Sequence, residues 1–429
     1  MPRRIHYGWV IAGTGTLCVL ACLGFGRFAL GMLLPSMAAS LGLSFAQIGA
    51  ISTANFLGYL ASILACGRLA GHLGARRLIF FGLAVVATSM LLIARARSFA
   101  PVLVLYTVTG VGSAAANVPM MGLIARWFDG SVRGRAAGFV AIGSGFAIIA
   151  SGQLIPLVNA ARGAEGWRTS WVLLAAAVGV IAVVALALLR NAPEEKELLP
   201  VGASPSPQPS PRDAGRGGAG SPCPWKGEGG GEGRGRAVPL LAAAYALFGF
   251  TYAIYVTFIV TSLVRERGFT EAAAGRFWSW VGFLSLFSGP VFGAISDRLG
   301  RRAGLMIVFG LQMAAYALAA APLPLPFLYL SIGCFGIVAW SIPAIMVAAV
   351  GDYAGRGGAM RALAFVTFIF GLGQITGPSV AGALAERTGS FASSFGMAAV
   401  LAAAAIGVCA FLRPAREERA EPGPMVTSS

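Results

Sequence analysis

"GRLAGHLGARR" (67–77) and "GAISDRLGRRA" (293–303) lie 226 residues apart, and one shift lays Gly67 on Gly293, Leu73 on Leu299, Gly74 on Gly300 and Arg76 on Arg302. The same shift pairs Arg135 with Arg361 and Phe139 with Phe365, so two separate loops share the offset. Long apolar runs flank each loop. The chain is 57% hydrophobic and 11% charged, against about 25% charged in an average soluble domain, which excludes an ordinary water-soluble fold. Apolar runs of about 20 residues, the length that crosses a bilayer, recur twelve times, near 8–33, 46–67, 78–94, 99–124, 136–160, 168–189, 238–262, 274–296, 303–321, 325–349, 361–384 and 391–412. Backbone polar groups in hydrocarbon must be satisfied within the segment, and these runs are too long for barrel strands, so each is expected to be a helix. The first is too long and continuous for a cleavable signal sequence, whose apolar core is about 7 to 15 residues. The expected fold is all-α and integral to the membrane, with twelve transmembrane helices in two pseudo-symmetric six-helix bundles.

Between the sixth and seventh runs, "SPSPQPSPRDAGRGGAGSPCPWKGEGGGEGRGR" (204–236) holds 10 Gly, 6 Pro and 4 Ser in 33 residues. Such a segment cannot bury enough apolar surface to offset its conformational entropy, and a disordered tether is expected. The chain then divides into a first bundle (1–190), a cytoplasmic linker (191–237), a second bundle (238–413) and a tail (414–429). With the N-terminus in the cytoplasm, segments on that side carry 23 of the 32 Lys and Arg, the outer segments 8, and Arg27 is the remaining one. This excess fits the positive-inside rule, with Arg95 and Arg97 against the trend. The expected location is the cell inner membrane, multi-pass, with both termini cytoplasmic. The net charge of +16 is dispersed over short loops and forms no stripe that could track a phosphate backbone, so nucleic acid is excluded as a partner.

Arg27 stands in "LGFGRFALGMLLPSM" (23–37), in the middle of the first run. A charge at the centre of a span costs at least ~2.5 to 3.5 kcal/mol on insertion scales, so it must face protein or water and find an anionic or carbonyl partner. All 16 acidic residues fall in loops, tails or span ends. Gly24 and Gly31, at i−3 and i+4, would leave room for something to approach the guanidinium, and a cation without a protein counterion suits a carboxylate or sulfonate. The alternative is an Arg bonded to backbone carbonyls at a kink near Pro35. Ser52, Asn55, Tyr59 and Ser62 share one face of the second run, and Tyr245, Tyr252 and Tyr255 one face of the seventh. Asn117, Gln153, Trp280, Trp340 and Gln374 are polar or aromatic groups deep in other runs. Each could be interhelical hydrogen-bond glue. As a set facing one cavity, Arg27, Asn55, Tyr59, Asn117, Tyr252, Tyr255, Trp280, Trp340 and Gln374 make a small-molecule site of aromatic walls and few polar groups.

At these residues the chain resembles the major facilitator superfamily. "GAISDRLGRR" is similar to that superfamily's signature loop, with Asp297 at the acidic position and Arg298, Arg301 and Arg302 at the basic ones. "ARWFDGSVRGRAAG" (125–138), after "YTVTGVGSAAANVP" (106–119), resembles the branch that includes the oxalate:formate antiporter and the monocarboxylate carriers. "GFGRFALGMLLPSM" with "NFLGYLASIL" (55–64) is similar to the opening of the YbfB/YjiJ-type branch. The resemblance implies gating loops at Gly67, Gly74, Arg76 and Arg77 and at Gly293, Asp297, Arg298, Gly300, Arg301 and Arg302. The first half departs from the signature with Gly71 in place of the acid, and the fourth run has Tyr106 where many proton-coupled exporters place Arg. "GQITGPSVAG" (373–382) partly matches a Gly-Pro antiporter motif, but its counterpart "AIIASGQLIP" (147–156) lacks the central Pro, which favours plain close packing.

Enzyme readings fail on the residues. His6 and His72 are the only histidines, the six cysteines form no ligand-spaced cluster, and no GxxxxGK[ST] loop is present, so neither metal, other cofactor nor nucleotide is expected. The internal repeat of six-helix units belongs with proteins whose halves rock around a midplane site. The expectation is a monomeric secondary active or facilitative transporter of a small organic anion, working by alternating access in the lipid bilayer. An exporter of hydrophobic or drug-like compounds is the alternative if Arg27 is structural, and a transporter-like solute sensor is a further one.

Overall fold

The computed structural model describes residues 6–202 and 232–412. Among them, twelve helices are long and apolar enough to cross a membrane: α1 (Tyr7–Leu41), α2 (Phe45–Leu73), α3 (Ala75–Ile93), α4 (Phe99–Trp127), α5 (Val132–Arg162), α6 (Gly166–Leu188), α7 (Ala237–Arg265), α8 (Glu271–Leu299), α9 (Arg301–Ala320), α10 (Leu325–Ala354), α11 (Gly358–Thr388) and α12 (Ala392–Ala410). In α1 and α7, 78% and 83% of the most apolar stretch is buried, against 56% or less in the other ten, which makes this pair central. Several helices outrun the apolar runs of the sequence. At 1.5 Å per residue the 29 residues of α2 or α8 span about 44 Å, well beyond a hydrocarbon core of about 30 Å.

The repeated glycines explain themselves in the turns. Gly74 (φ +77°) joins α2 to α3 and Gly300 (φ +87°) joins α8 to α9, a left-handed backbone that a Cβ would strain.

The 226-residue offset reaches beyond the loops into the two seams where the bundles meet. Gly49 of α2 sits against Pro378 and Gly382 of α11, and 226 positions on, Gly275 of α8 sits against Gly152 and Pro156 of α5. The Thr53 hydroxyl donates to the Ile375 carbonyl (2.7 Å) and accepts from Ser379 (2.8 Å). Its counterpart Ser279 donates to the Ile149 carbonyl (3.2 Å) and accepts from Gln153 (2.8 Å). Leu60 packs on Gly371, and Leu286 on Gly145. At the helix starts, the Glu386 carboxylate accepts from the Phe45 and Ala46 amides of α2 (2.8 and 3.3 Å), while Glu271 at the start of α8 accepts from Asn159 (2.6 Å). Small residues allow this approach, and each backbone or hydroxyl exposed by it finds a partner.

These tiers run from the face away from the start of α1 and the end of α12 to the middle of the helices, where Leu60 and Leu286 lie. Towards the face that carries those ends, here the terminal face, the seams part. A Cβ on Gly67, Gly71, Gly134, Gly138, Gly289 or Gly293 would meet nothing within 4 Å. The structure is therefore sealed at the opposite face and open at the terminal one.

The linker expected over 191–237 is shorter than drawn. Residues 203–231, and with them most of the 204–236 tether, lie outside the described residues, and helix resumes at Glu232. The stretch before it is a strap on the first bundle. Trp127 Nε1 donates to the Arg190 carbonyl (3.1 Å), Asn191 Oδ1 accepts from the Arg76 amide (3.0 Å), and Pro193–Lys196 form a 3-10 turn. Val201 then pairs its amide with the Trp127 carbonyl and its carbonyl with the Asp129 amide, both at 2.9 Å. The end of α4 offers unpaired backbone and two buried aromatics, Trp127 and Phe128, and Leu198 and Val201 pack into that core. Composition averaged over the whole break hides those two residues.

Two outcomes follow from this packing. Gly49→Val and Gly275→Val each place a side chain where a partner backbone already sits, so each should open the opposite face. Spin labels at Ser40→Cys and Arg387→Cys should report a longer distance in either variant, and an unchanged distance would contradict the seam as described. Asn191→Ala removes a cap from the first turn of α3 and should cost about 1 kcal/mol of stability, read as a lower apparent melting temperature.

Candidate functional site

Arg27 sits on the one irregular stretch of α1. Residues Leu20–Phe28 form a π-helix, in which Ala29 donates back to Gly24, and several of its carbonyls also meet other helices. Neighbouring side chains take them up: Ser113 Oγ donates to the Cys22 carbonyl (2.7 Å), Asn55 Nδ2 to Gly26 (3.4 Å) and the Tyr106 hydroxyl to the carbonyl of Arg27 itself (3.1 Å). Single π turns of this kind occur frequently at functional sites.

The same contacts aim the guanidinium. Asn55 Nδ2 also donates to the Tyr106 carbonyl (3.2 Å), which leaves Oδ1 of Asn55 facing Arg27 Nε at 3.2 Å. The guanidinium carbon lies over the rings of Phe56 (4.6 Å) and Tyr59 (4.5 Å), contacts each worth about 0.5 to 2 kcal/mol. Tyr59 is fixed in turn by Asn117, whose Nδ2 donates to its hydroxyl (2.8 Å). Arg27 Nη2 is buried with no hydrogen-bond partner, and so are Asn117 Oδ1 and Trp340 Nε1. From the second bundle Trp340 stacks on Phe28 (5.2 Å) and Tyr252 meets Trp340 edge-on (5.7 Å). Arg27 thus lies at the depth of Asn55 and Tyr59, beside the last sealed tier at Leu60, where the open side begins.

Of the residues read from sequence, Arg27, Asn55, Tyr59 and Asn117 come together, and Tyr252 and Trp340 close on them from the other half. Tyr255 and Trp280 do not join them. Tyr255 points into the core of the second bundle, with its hydroxyl on Ser331 (2.9 Å) and its ring stacked on Phe335 (4.2 Å). Trp280 belongs to an exposed stripe of α8 with Phe283, Phe287 and Val291, because Ser279 turns towards α5 and the next residue is carried about 100° away from it. Trp278, two residues earlier, is the buried indole, near Gly31. Gln374 is nearly buried where α11 crosses Gly249 of α7. Ser52 bonds Thr257 of the other half (2.9 Å), a contact between the bundles.

Two further expectations change. Gly24 and Gly31 leave no room near the guanidinium, since a Cβ on Gly24 would overlap Ala147 and one on Gly31 would stand 2.9 Å from the Val256 carbonyl. Among the described residues Arg27 makes no side-chain bond to a backbone carbonyl, and the irregularity of α1 is the π-helix around it, two helical turns before Pro35. Phe28, Phe56 and Trp278 were missed because apolar aromatics in apolar runs carry no mark of their own.

The loops of the repeat are held within their own halves. Arg301 pairs with both Asp297 and Asp352 (2.7 Å to the latter), whereas Arg76 Nε donates to the Leu186 carbonyl (2.7 Å). Arg77, Arg298 and Arg302 are exposed. A cavity of about 300 Å³ on the outside of α3 and α4 and one of about 550 Å³ beside Arg267 and Phe269 both lie away from Arg27.

The comparisons agree with this architecture. The family model of the Major Facilitator Superfamily matches residues 16–270, and that of the uncharacterised MFS-type transporter YbfB matches residues 229–412. The chain is 24% identical over 418 residues to a hexuronate transporter of Bacillus subtilis (strain 168), covering 90% of this chain and 91% of that one. It is 23% identical over 439 residues to a probable sulfoacetate transporter, SauU, of Cupriavidus necator, covering 96% of each. The fold superposes with a TM-score of 0.67, at 15% identity and 95% of both chains, on a bacterial homolog of the human lysosomal transporter Spinster in an inward-facing, unoccupied conformation. With a family match over more than half its length and twelve membrane helices in two related bundles, the chain belongs to the Major Facilitator Superfamily, as a multi-pass membrane transporter of organic solutes and not an enzyme.

Proposed function

We propose that the protein moves a small organic anion by alternating access, with Arg27 as the counter-charge of the bound substrate. The observation that carries this reading is the unpartnered Nη2 of Arg27. Its Nε is engaged by Asn55 and its carbon rests on two rings, so the edge left over is the one that pairs with a carboxylate or sulfonate. The substrates named for the two relatives, hexuronate and sulfoacetate, are both organic anions, which supports the same chemistry here. Tyr59, Asn117, Tyr252 and Trp340 supply the walls.

In this reading the protein acts as a monomer in the inner membrane with both termini cytoplasmic, as the excess of basic residues on that side supports. The open side is then cytoplasmic. Arg68, Arg126, Arg135 and Arg361 lie near its mouth and raise the local concentration of anions. The loops at 67–77 and 293–302 lock that side when the halves rock the other way, with Asp297 released from Arg301 to do so. The spans hold no acid beside Arg27, so the usual proton relay groups are missing, and transport runs on the substrate gradient as exchange or facilitated diffusion.

The test is flux of a substrate anion into proteoliposomes. Arg27→Lys keeps the charge and loses the planar fork, and should weaken apparent affinity by about tenfold. Arg27→Gln leaves the anion unpaired in a low-dielectric site and should abolish flux while the protein stays folded and monodisperse. If Arg27 is structural, both variants should lose stability alike, with no change in which solutes are carried.

A further inference from the structure

The site around Arg27 holds one cation, and its other open groups are neutral. Asn55 is fully occupied, between two carbonyls and the Arg27 Nε. What remains open is Arg27 Nη2, one end of the Asn117 amide and the Trp340 indole N–H. The nearest basic residues on the helices that carry Tyr59 and Asn117 are Arg68 on α2 and Arg126 on α4. Each is nine residues from its site residue, or about 13 Å along the helix. Both side chains are exposed, so neither is a buried counter-charge at the site. The second bundle adds Tyr252 and Trp340 and no charge.

We infer that the substrate is a hydroxylated monoanion: one carboxylate or sulfonate on Arg27, and a neutral hydroxyl-bearing body between Asn117 and Trp340. This rests on the organic-anion reading above and narrows it. A second anionic group would have to sit beside Asn117, Tyr252 and Trp340 without a counter-charge, and burying an unpaired charge is prohibitive. The Asn117 amide has one end on the Tyr59 hydroxyl and the other end free. A hydroxyl both donates and accepts, so it satisfies the free end in either orientation of the amide. The indole N–H of Trp340 only donates, and a hydroxyl oxygen accepts from it. A bare alkyl chain would leave both groups buried and unsatisfied, at a cost for each. The two relatives divide on this point, because a hexuronate is a hydroxylated monoanion and sulfoacetate carries two acid groups and no hydroxyl.

The experiment compares matched ligands on the purified full-length protein, read by thermal shift and by competition in proteoliposomes. One set is galacturonate, galactarate and hexanoate, which differ in a second charge or in the loss of hydroxyls. The other is isethionate, sulfoacetate and ethanesulfonate. The hydroxylated monoanion of at least one set should bind about 100-fold more tightly than its dianion and about tenfold more tightly than its unhydroxylated partner. Asn117→Leu should bring the hydroxylated and unhydroxylated monoanions to similar affinity, whatever it does to the affinity of both. Equal or tighter binding of the dianion overturns the inference and leaves the anion reading standing. Equal binding of the unhydroxylated monoanion overturns the hydroxyl requirement. Binding of none of the six, against a positive response to neutral or cationic solutes, overturns both readings together.

Discussion

A guanidinium at the middle of a membrane span must be held by something, and here the first bundle is arranged around holding it. Around the π-helix at Leu20–Phe28, Ser113, Asn55 and Tyr106 from α2 and α4 donate to carbonyls of α1 and fix the backbone at Arg27. The same Asn55 turns its oxygen to Nε, and the rings of Phe56 and Tyr59 lie under the charge. These contacts orient the cation without neutralising it. A half-buried positive charge with no anion of its own is a destabilising arrangement, and a ligand anion is the group that would relieve it.

The helix that cages Arg27 is also a gate. On α2, Asn55, Phe56 and Tyr59 face the guanidinium, while Gly49, Thr53 and Leu60 form the seam with α11. In the proposed reading, an anion that pulls on Arg27 would also pull on the helix whose other face seals the opposite side, and binding would couple to rocking through one rigid element. The second seam, between α5 and α8, repeats the glycine, hydroxyl and leucine contacts of the first at the 226-residue offset and differs from it at the helix starts. Both bundles thus present the same hinge surface to each other, and the two seams can open and close together. The charge itself is not duplicated: the position equivalent to Arg27 is Ala253, and the second bundle contributes aromatic walls instead.

Much of this was legible in the residues. Twelve apolar runs and the repeat at 67–77 and 293–303 led to the fold, and the isolated Arg27 to the residue on which the proposed site is built. The seams were hidden because glycine, threonine and serine in apolar runs read as filler until the partner helix is known. The face of an aromatic could not be told from its type, so Trp280 was chosen where Trp278 is inside, and Tyr255 where its hydroxyl serves Ser331. Helical phase also failed across the π turn, which adds a residue to the period. Gly24 and Gly31 therefore serve packing against Ala147 and Val256, and open no path to the charge. The strap at 189–202 was lost in the average composition of a long break, though Leu198 and Val201 mark it.

The most direct measurement of the central claim is a thermodynamic cycle between Arg27 and the acid group of a bound ligand. Affinity for a carboxylate ligand and for its neutral amide would be measured on the parent protein and on Arg27→Gln, so that the two changes can be separated from their interaction. If Arg27 pairs with the anion, the substitution weakens the carboxylate by about 100-fold and leaves the amide nearly unaffected. An equal loss for both ligands would show that Arg27 shapes the site without meeting the charge, and would contradict the account.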